Sequence, residues 1–156
     1  MRDTPEVARF VERFAAALTD AGMPRMPARV FAALLSTDSG RLTAAELGAQ
    51  LQSSAGGISG AVRYLIQTQL VDREHEPGSR RDHYRVRDDV WHTATARRDR
   101  VMDRLRAVLS EGVAALGDET PAGVRLTETL EFFAFLQKEM PALVERWQQI
   151  RSGRGG

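Results

Sequence analysis

Apolar residues recur at helical spacing in the first third of the chain, and turn-forming residues separate the apolar runs. The stretch TPEVARFVERFAAALTDAG predicts a first helix, because Thr4 can cap it, Pro5 suits its first position and Gly22 can close it. The prolines in MPRMP interrupt this helix. A second helix is predicted from Pro27 to about Ser36, followed by a turn over STDSGR.

Two further helices are predicted after that turn. Thr43 and Glu46 have the spacing of a capping box, so a helix begins there and extends to about residue 51. After a short break, another helix is predicted from Ser54 to about Gln69. Its buried face repeats at helical spacing and consists of Ile58, Val62, Leu65 and Ile66.

The pattern then changes to that of short strands. LVDREHE and HYRVRD flank the turn sequence PGSRRD, and together they predict a small β-hairpin. Few apolar residues mark these strands, so we expect the hairpin to lean on the preceding helices.

From Asp88 the chain is predicted to be helical for nearly thirty residues. Mostly apolar positions recur at alternating spacings of three and four, which is typical of a coiled-coil-like seam. The seam is imperfect at Arg98 and Gly112, and it comprises Trp91, Ala94, Arg98, Val101, Leu105, Val108 and Gly112. Thr120 and Pro121 open a last helical region. Pro141 is expected to kink that helix or to restart it.

Composition limits the class of protein without naming it. The 156 residues are 42% hydrophobic and 28% charged, with a net charge of +1, which fits a folded domain with a helical extension. There is no cysteine, which excludes disulfides and thiol chemistry. An apolar signal core and a run long enough to span a membrane are both missing, so we expect a soluble, cytoplasmic protein that does not bind a membrane.

The order of these elements, with the hairpin after the fourth helix, predicts a winged helix-turn-helix. The fold class is therefore mostly α with a small β-hairpin wing, plus a helical dimerisation region. The recognition helix would begin at Ser54, and its amino-terminal half would meet DNA in the major groove. Small residues there let the duplex approach closely; the predicted DNA-binding set on this helix is Ser54, Gly56, Gly57, Ser59, Gly60, Arg63 and Tyr64.

These glycines also have structural interpretations. Gly60 could serve only to let the helix cross closely over the helix at 43–51. The same interpretation applies to Gly56 and Gly57, and all three glycines could instead belong to a fraying helix start, because glycine weakens a helix.

The predicted wing is rich in arginine, and its acidic residues nearly balance the positive charge. Its cations are Arg73, Arg80, Arg81, Arg85 and Arg87, and its acids are Asp72, Glu74, Glu76 and Asp82. The balance favours solvated or paired arginines on the strands. Arg80 and Arg81 are at the turn, where we predict contact with the minor groove or with phosphates. Arg25 and Arg29 are further phosphate candidates. The arginine richness itself (Lys138 is the single lysine) also fits codon bias.

The run SSAGGISGAVRYLIQTQLVDREHEPGSRRDHYRV resembles the recognition helix and wing of MarR-type winged-helix repressors, and more closely their GbsR-like branch. The resemblance implies a homodimer that binds a pseudo-palindromic operator in double-stranded DNA and represses transcription. It implies dimerisation through residues 1–22 and 88–151 and a DNA-binding domain at 23–87. The closing residues SGRGG, at 152–156, are expected from their own composition to form a disordered tail. The resemblance also implies a cleft for a small effector, whose lining could include Trp91, Phe132, Phe133 and Phe135; ordinary core packing is the alternative for these aromatic residues.

Two other classes of protein were weighed against a regulator. An enzyme is not expected, because His75, His83 and His92 have neither metal-ligand spacing nor a cysteine partner, and no phosphate loop or nucleophile elbow is present. No cofactor and no metal are therefore predicted. The alternative function is a winged-helix protein-interaction module that does not bind DNA.

Overall fold

The computed structural model describes residues 4–155. This part of the chain divides into two compact units, of which the first ends at Val90 and the second begins at Trp91. The first unit holds four helices and a three-stranded sheet, and the second holds two long helices. Their bounds are α1 Pro5–Asp20, α2 Arg25–Leu35, β1 Arg41–Thr43, α3 Ala44–Leu51, α4 Ala55–Gln67, β2 Val71–His75, β3 Asp82–Val86, α5 Val90–Leu116 and α6 Pro121–Gly153. The predicted fold class, mostly helical with a small wing, is confirmed.

The helix starts form where the capping residues predicted them. The Thr4 hydroxyl accepts a hydrogen bond from the backbone N–H of Val7. At the start of α3, the Thr43 hydroxyl accepts from the Glu46 N–H, and the Glu46 carboxylate accepts from the Thr43 N–H, both at 3.1 Å. Each bond satisfies a backbone donor that a helix end leaves without an intrahelical partner. Local chemistry alone therefore sets these boundaries.

The core of the first unit lies between α2, α3 and α4. Its largest fully buried side chains include Phe31 and Leu34 of α2, Leu47 of α3, and Ile58 and Leu65 of α4. Each comes from the apolar face of an amphipathic helix, and burial of such side chains contributes about 1.5–3 kcal/mol each. This packing fixes the direction of α4.

The sheet has one strand more than the sequence pattern predicted. Strand order is β1-β3-β2, with both neighbours antiparallel to β3. The predicted hairpin supplies β2 and β3, whereas β1 begins at Arg41, the last residue of the predicted turn, and extends to Thr43, the predicted start of the next helix. It pairs Leu42 with Tyr84. A strand of three residues carries too little periodicity to be recognised without its distant partner.

In the second unit, α5 and α6 form an antiparallel pair joined at Gly117. Gly117 has φ +89°, and a Cβ at Gly123 would collide with its carbonyl oxygen, so the turn needs both glycines. A polar network links the two helices further along: the Arg106 guanidinium donates to Oε1 of Gln137 at 2.8 Å, and Nε2 of Gln137 donates to Asp103 Oδ1 at 2.7 Å.

Of the two alternatives expected at Pro141, a restart of the helix does not occur. The helix continues through Pro141, since a proline removes one backbone hydrogen bond and the rest of a long helix can hold the segment. A kink at Pro141 stays a prediction. The helix also extends to Gly153, inside the stretch predicted as a disordered tail; Gly156 lies outside the described residues, as do residues 1–3 of the predicted first segment. Among the helices of residues 4–155, none is long and apolar enough to cross a membrane.

Candidate nucleic-acid interface

Helix α4 has one buried face and one bare, exposed face. Ile58, Ala61, Val62 and Leu65 are buried. The exposed positions are Ser54 at the cap, Gly56, Ser59, Gly60 and Arg63, while Gly57 and Tyr64 are half-buried. The seven residues predicted to read DNA therefore lie along one side of the recognition helix and its start.

The exposed glycines have free space around them. A Cβ placed on Gly56 or Gly60 would meet nothing within 4 Å. The structural interpretation of Gly60, a close crossing over α3, is thus wrong. The tighter approach is at Gly48 of α3, where a Cβ would come within 3.4 Å of the Ser53 carbonyl oxygen and 4.0 Å of the Ile58 side chain.

Gly57 has a local structural role. Its N–H donates to the Ser54 hydroxyl at 3.1 Å, which caps α4. A Cβ there would lie 2.9 Å from the Ser53 hydroxyl and 3.3 Å from that of Ser54, so any side chain would disturb the cap. The start of α4 is therefore held by its cap, and the fraying interpretation is not supported.

The strand arginines of the wing are paired with acids, as the charge balance predicted. Arg85 Nε lies 2.7 Å from the Glu74 carboxylate, and Arg73 Nε lies 3.7 Å from that of Asp82. Arg73 also lies over the Tyr84 ring, at 5.7 Å from its centroid. The pKa of Arg87 is raised, first by its hydrogen bond to Asp89 and then by the charge of Asp72. These four acids leave little net charge on the strands.

The cations at the tip of the wing are different. Arg80 and Arg81 are exposed, beside a turn in which Gly78 has φ +83°. Within residues 4–155 neither side chain has an ion-pair partner, and the same holds for Arg63 on α4. The uncompensated positive charge of this region is therefore concentrated on α4 and at the wing tip.

The structure corrects the prediction that Arg29 contacts a phosphate. Arg29 is engaged internally, since its guanidinium donates to the Glu12 carboxylate and to the Leu51 carbonyl oxygen. Its side chain is only 17% exposed. Arg25 is exposed at the start of α2. The sequence could not distinguish the two arginines, because both partners of Arg29 are distant in the chain.

Sequence reasoning missed a groove beside the recognition helix. This groove, of about 520 Å³, lies between α3, α4 and the wing and is bordered by Ser59, Arg63, Arg73 and Tyr84. Its α3 wall is made of small residues: Ala44, Ala45, Gly48 and Ala49. The alanines at 44, 45 and 49 are exposed, and their spacing on one helix face was a signal that could have revealed it.

The aromatic residues predicted to line an effector cleft lie largely at the surface of the single chain. Trp91, Phe132 and Phe135 are more than half exposed, and Phe133 is half-buried. Phe132 and Phe133 lie 6.1 Å apart between ring centroids. A pocket of about 440 Å³ does lie between α5 and α6, but its walls are other residues of the same helices: His92, Thr95, Ala96, Arg98, Asp99, Met102, Leu136, Gln137, Met140, Pro141 and Val144.

A helix-turn-helix followed by a short sheet, with the second helix of the motif exposed, defines a winged-helix regulator. Family comparisons agree over both halves of the chain. The MarR family model matches residues 21–82, and the model of MmpR5-like MarR family transcriptional regulators matches residues 89–151. The chain belongs to the MarR family of transcriptional regulators.

Individual relatives extend the similarity to almost the whole chain. The HTH-type transcriptional regulator MmpR5 of Mycobacterium tuberculosis (strain ATCC 25618 / H37Rv) is 30% identical over 146 residues, which are 93% of this chain and 88% of that protein. A crystal structure of a transcriptional regulator superposes with a TM-score of 0.81 at 30% identity, covering 93% of this chain and 99% of that one.

Proposed function

We propose that the chain acts as a homodimeric repressor whose α4 enters the major groove of a pseudo-palindromic operator while Arg80 and Arg81 contact the flanking backbone or minor groove. The observation that carries this proposal is the combination of two properties of α4 and the wing. The exposed face of α4 is bare at Gly56 and Gly60, and, among the described arginines of α4 and the wing, those without an acidic partner are Arg63 and the two at the tip. Arginine forms bidentate bonds to phosphate and to guanine, so this distribution suits a duplex.

The apolar surface of the second unit supports self-association. Val101, Leu105 and Val108 of the predicted seam are 47–60% exposed, and Trp147 of α6 is 48% exposed. Surfaces of this kind mark interaction sites in proteins that fold in water. We infer that residues 88–151, together with the helix at 1–22, form the dimerisation parts, and that 23–87 reads DNA. Two recognition helices would then sit about 34 Å apart, one turn of the duplex.

Release by a small effector is the second part of the proposal. The pocket between α5 and α6, at about 440 Å³, falls within the size range of ligand sites. A ligand bound there can shift DNA affinity only if it prefers one arrangement of the dimer. The GbsR-like branch and the sign of regulation stay predictions.

The salt dependence of duplex binding tests the proposal against a module that binds only proteins. Affinity for a random-sequence duplex is measured by fluorescence anisotropy at increasing KCl. A regulator that neutralises phosphates releases counterions, so its affinity must fall steeply and linearly on a double-logarithmic plot. Absence of duplex binding at low salt would refute the proposal.

A further inference from the structure

Arg29 of α2 joins three helices of the first unit. Its Nε lies 3.1 Å from both carboxylate oxygens of Glu12 in α1, and its Nη2 lies 2.7 Å from Oε1. The same Nη2 donates to the carbonyl oxygen of Leu51 at 2.8 Å. One planar guanidinium thus connects α1 and α2 to the end of α3, a geometry that a lysine ammonium cannot reproduce.

The Leu51 carbonyl lies at the turn of the helix-turn-helix. Leu51 is the last residue of α3, and Gln52 after it has φ 51°, in the left-handed region that non-glycine residues seldom adopt. The last carbonyls of a helix lack intrahelical partners and carry its negative dipole end. The Arg29 guanidinium, which donates to the Leu51 carbonyl, therefore stabilises a turn conformation that local preference alone disfavours.

A second contact from α2 is made with Ser53, inside the turn. The Met26 sulfur accepts from Nη1 of Arg29 at 3.5 Å and lies 4.0 Å from the Ser53 hydroxyl. Ser53 directly precedes Ser54, whose hydroxyl caps α4. The residue before the three-residue turn, Leu51, and the middle residue of the turn, Ser53, thus both contact the same segment of α2.

We propose that Glu12 and Arg29 are positioning residues for DNA recognition: Glu12 orients the guanidinium, and the guanidinium sets the turn that aims the exposed face of α4. Neither residue touches DNA in this account. The inference rests on the proposed function, since it concerns how the recognition helix is held. Through Glu12 and Arg29, α1 is thereby connected to the turn that precedes α4.

The test uses a substitution for which the change in charge and the loss of positioning predict opposite changes in DNA affinity. Glu12→Gln removes one negative charge, so charge alone would strengthen DNA binding. Positioning predicts that affinity for a selected operator falls about fivefold relative to a random duplex of equal length. Glu6→Gln is the matched control: Glu6 is an exposed residue of the same helix, it makes no side-chain hydrogen bond or ion pair within residues 4–155, and its replacement adds the same charge.

Arg29→Lys provides a second variant that keeps the charge. It should lower the ratio of operator to random-duplex affinity by about tenfold, because the fork that reaches both partners is lost. The slope of affinity against salt should stay at the wild-type value, since lysine keeps the positive charge. Arg41→Lys in β1 is the control: its ion pair with Glu74 spans 3.6 Å, a contact that a lysine can also make, and it should change neither quantity.

The affinity ratio separates positioning from stability, because partial unfolding lowers binding to both duplexes by the same factor. If Glu12→Gln and Arg29→Lys leave the ratio unchanged while the wild-type protein binds its operator, the inference is wrong and the proposed function stands. A shallower salt slope for Arg29→Gln, which removes the positive charge, would instead make Arg29 a phosphate ligand. If the wild-type protein binds no duplex at all, both proposals fail.

Discussion

Replacing Gly60 with alanine should stabilise the protein and weaken its binding to an operator. Gly60 lies in the interior of α4, the helix at Ala55–Gln67, and is exposed. Glycine at such a position costs about 1 kcal/mol relative to alanine. The added methyl group would meet no atom within 4 Å, so no clash opposes that gain.

The expected size of each effect follows from this geometry. A gain of about 1 kcal/mol corresponds to an increase in Tm of about 4 °C for a domain of this size. In the complex, the same methyl group would occupy space that the duplex needs, and Gly60→Leu would occupy more. We expect operator affinity to fall about tenfold, or about 1.4 kcal/mol, with the leucine variant and less with alanine.

Thermal unfolding followed by circular dichroism, together with anisotropy titrations on the same samples, would measure both effects. Gly57→Ala is the contrasting variant: its Cβ would lie 2.9 Å from the Ser53 hydroxyl, so it should lower Tm. Gly60→Leu with unchanged operator affinity would refute the close approach of DNA to this face. A fall in Tm for Gly60→Ala would show that the site is not open.

Two further perturbations test the wing and the dimer. Arg80→Ala and Arg81→Ala should each reduce the salt slope of duplex binding by about one. Arg85→Ala removes a cation that is already paired with Glu74 at 2.7 Å, so it should leave the slope nearly unchanged. Equal slopes for all three variants would contradict the prediction that the wing tip contacts DNA. Val108 is 60% exposed in the single chain, and Val108→Glu puts a charge at this position. The variant should sediment as a monomer where the wild-type protein sediments as a dimer. A variant that sediments with the wild-type protein would exclude Val108 from the interface.

Most of the first unit could be predicted from short-range patterns. Capping residues, helical periodicity and turn signals each act within a few residues, so they located α1 to α4 and the hairpin. The separation of wing charges was predictable for the same reason, because Glu74 and Asp82 face the strand arginines across a hairpin. Sequence patterns also predicted which face of α4 is bare.

The sequence by itself determined where helices begin, which faces are apolar and which arginines lack acids close by, because these properties depend on neighbours within one or two turns of chain. Only the tertiary structure decided the roles of individual polar groups. Arg29 contacts Glu12 and Leu51 across 17 and 22 residues, and the residues of β1 pair with residues 40 to 44 positions later. Such contacts have no local signature, since the packing of whole helices brings their atoms together.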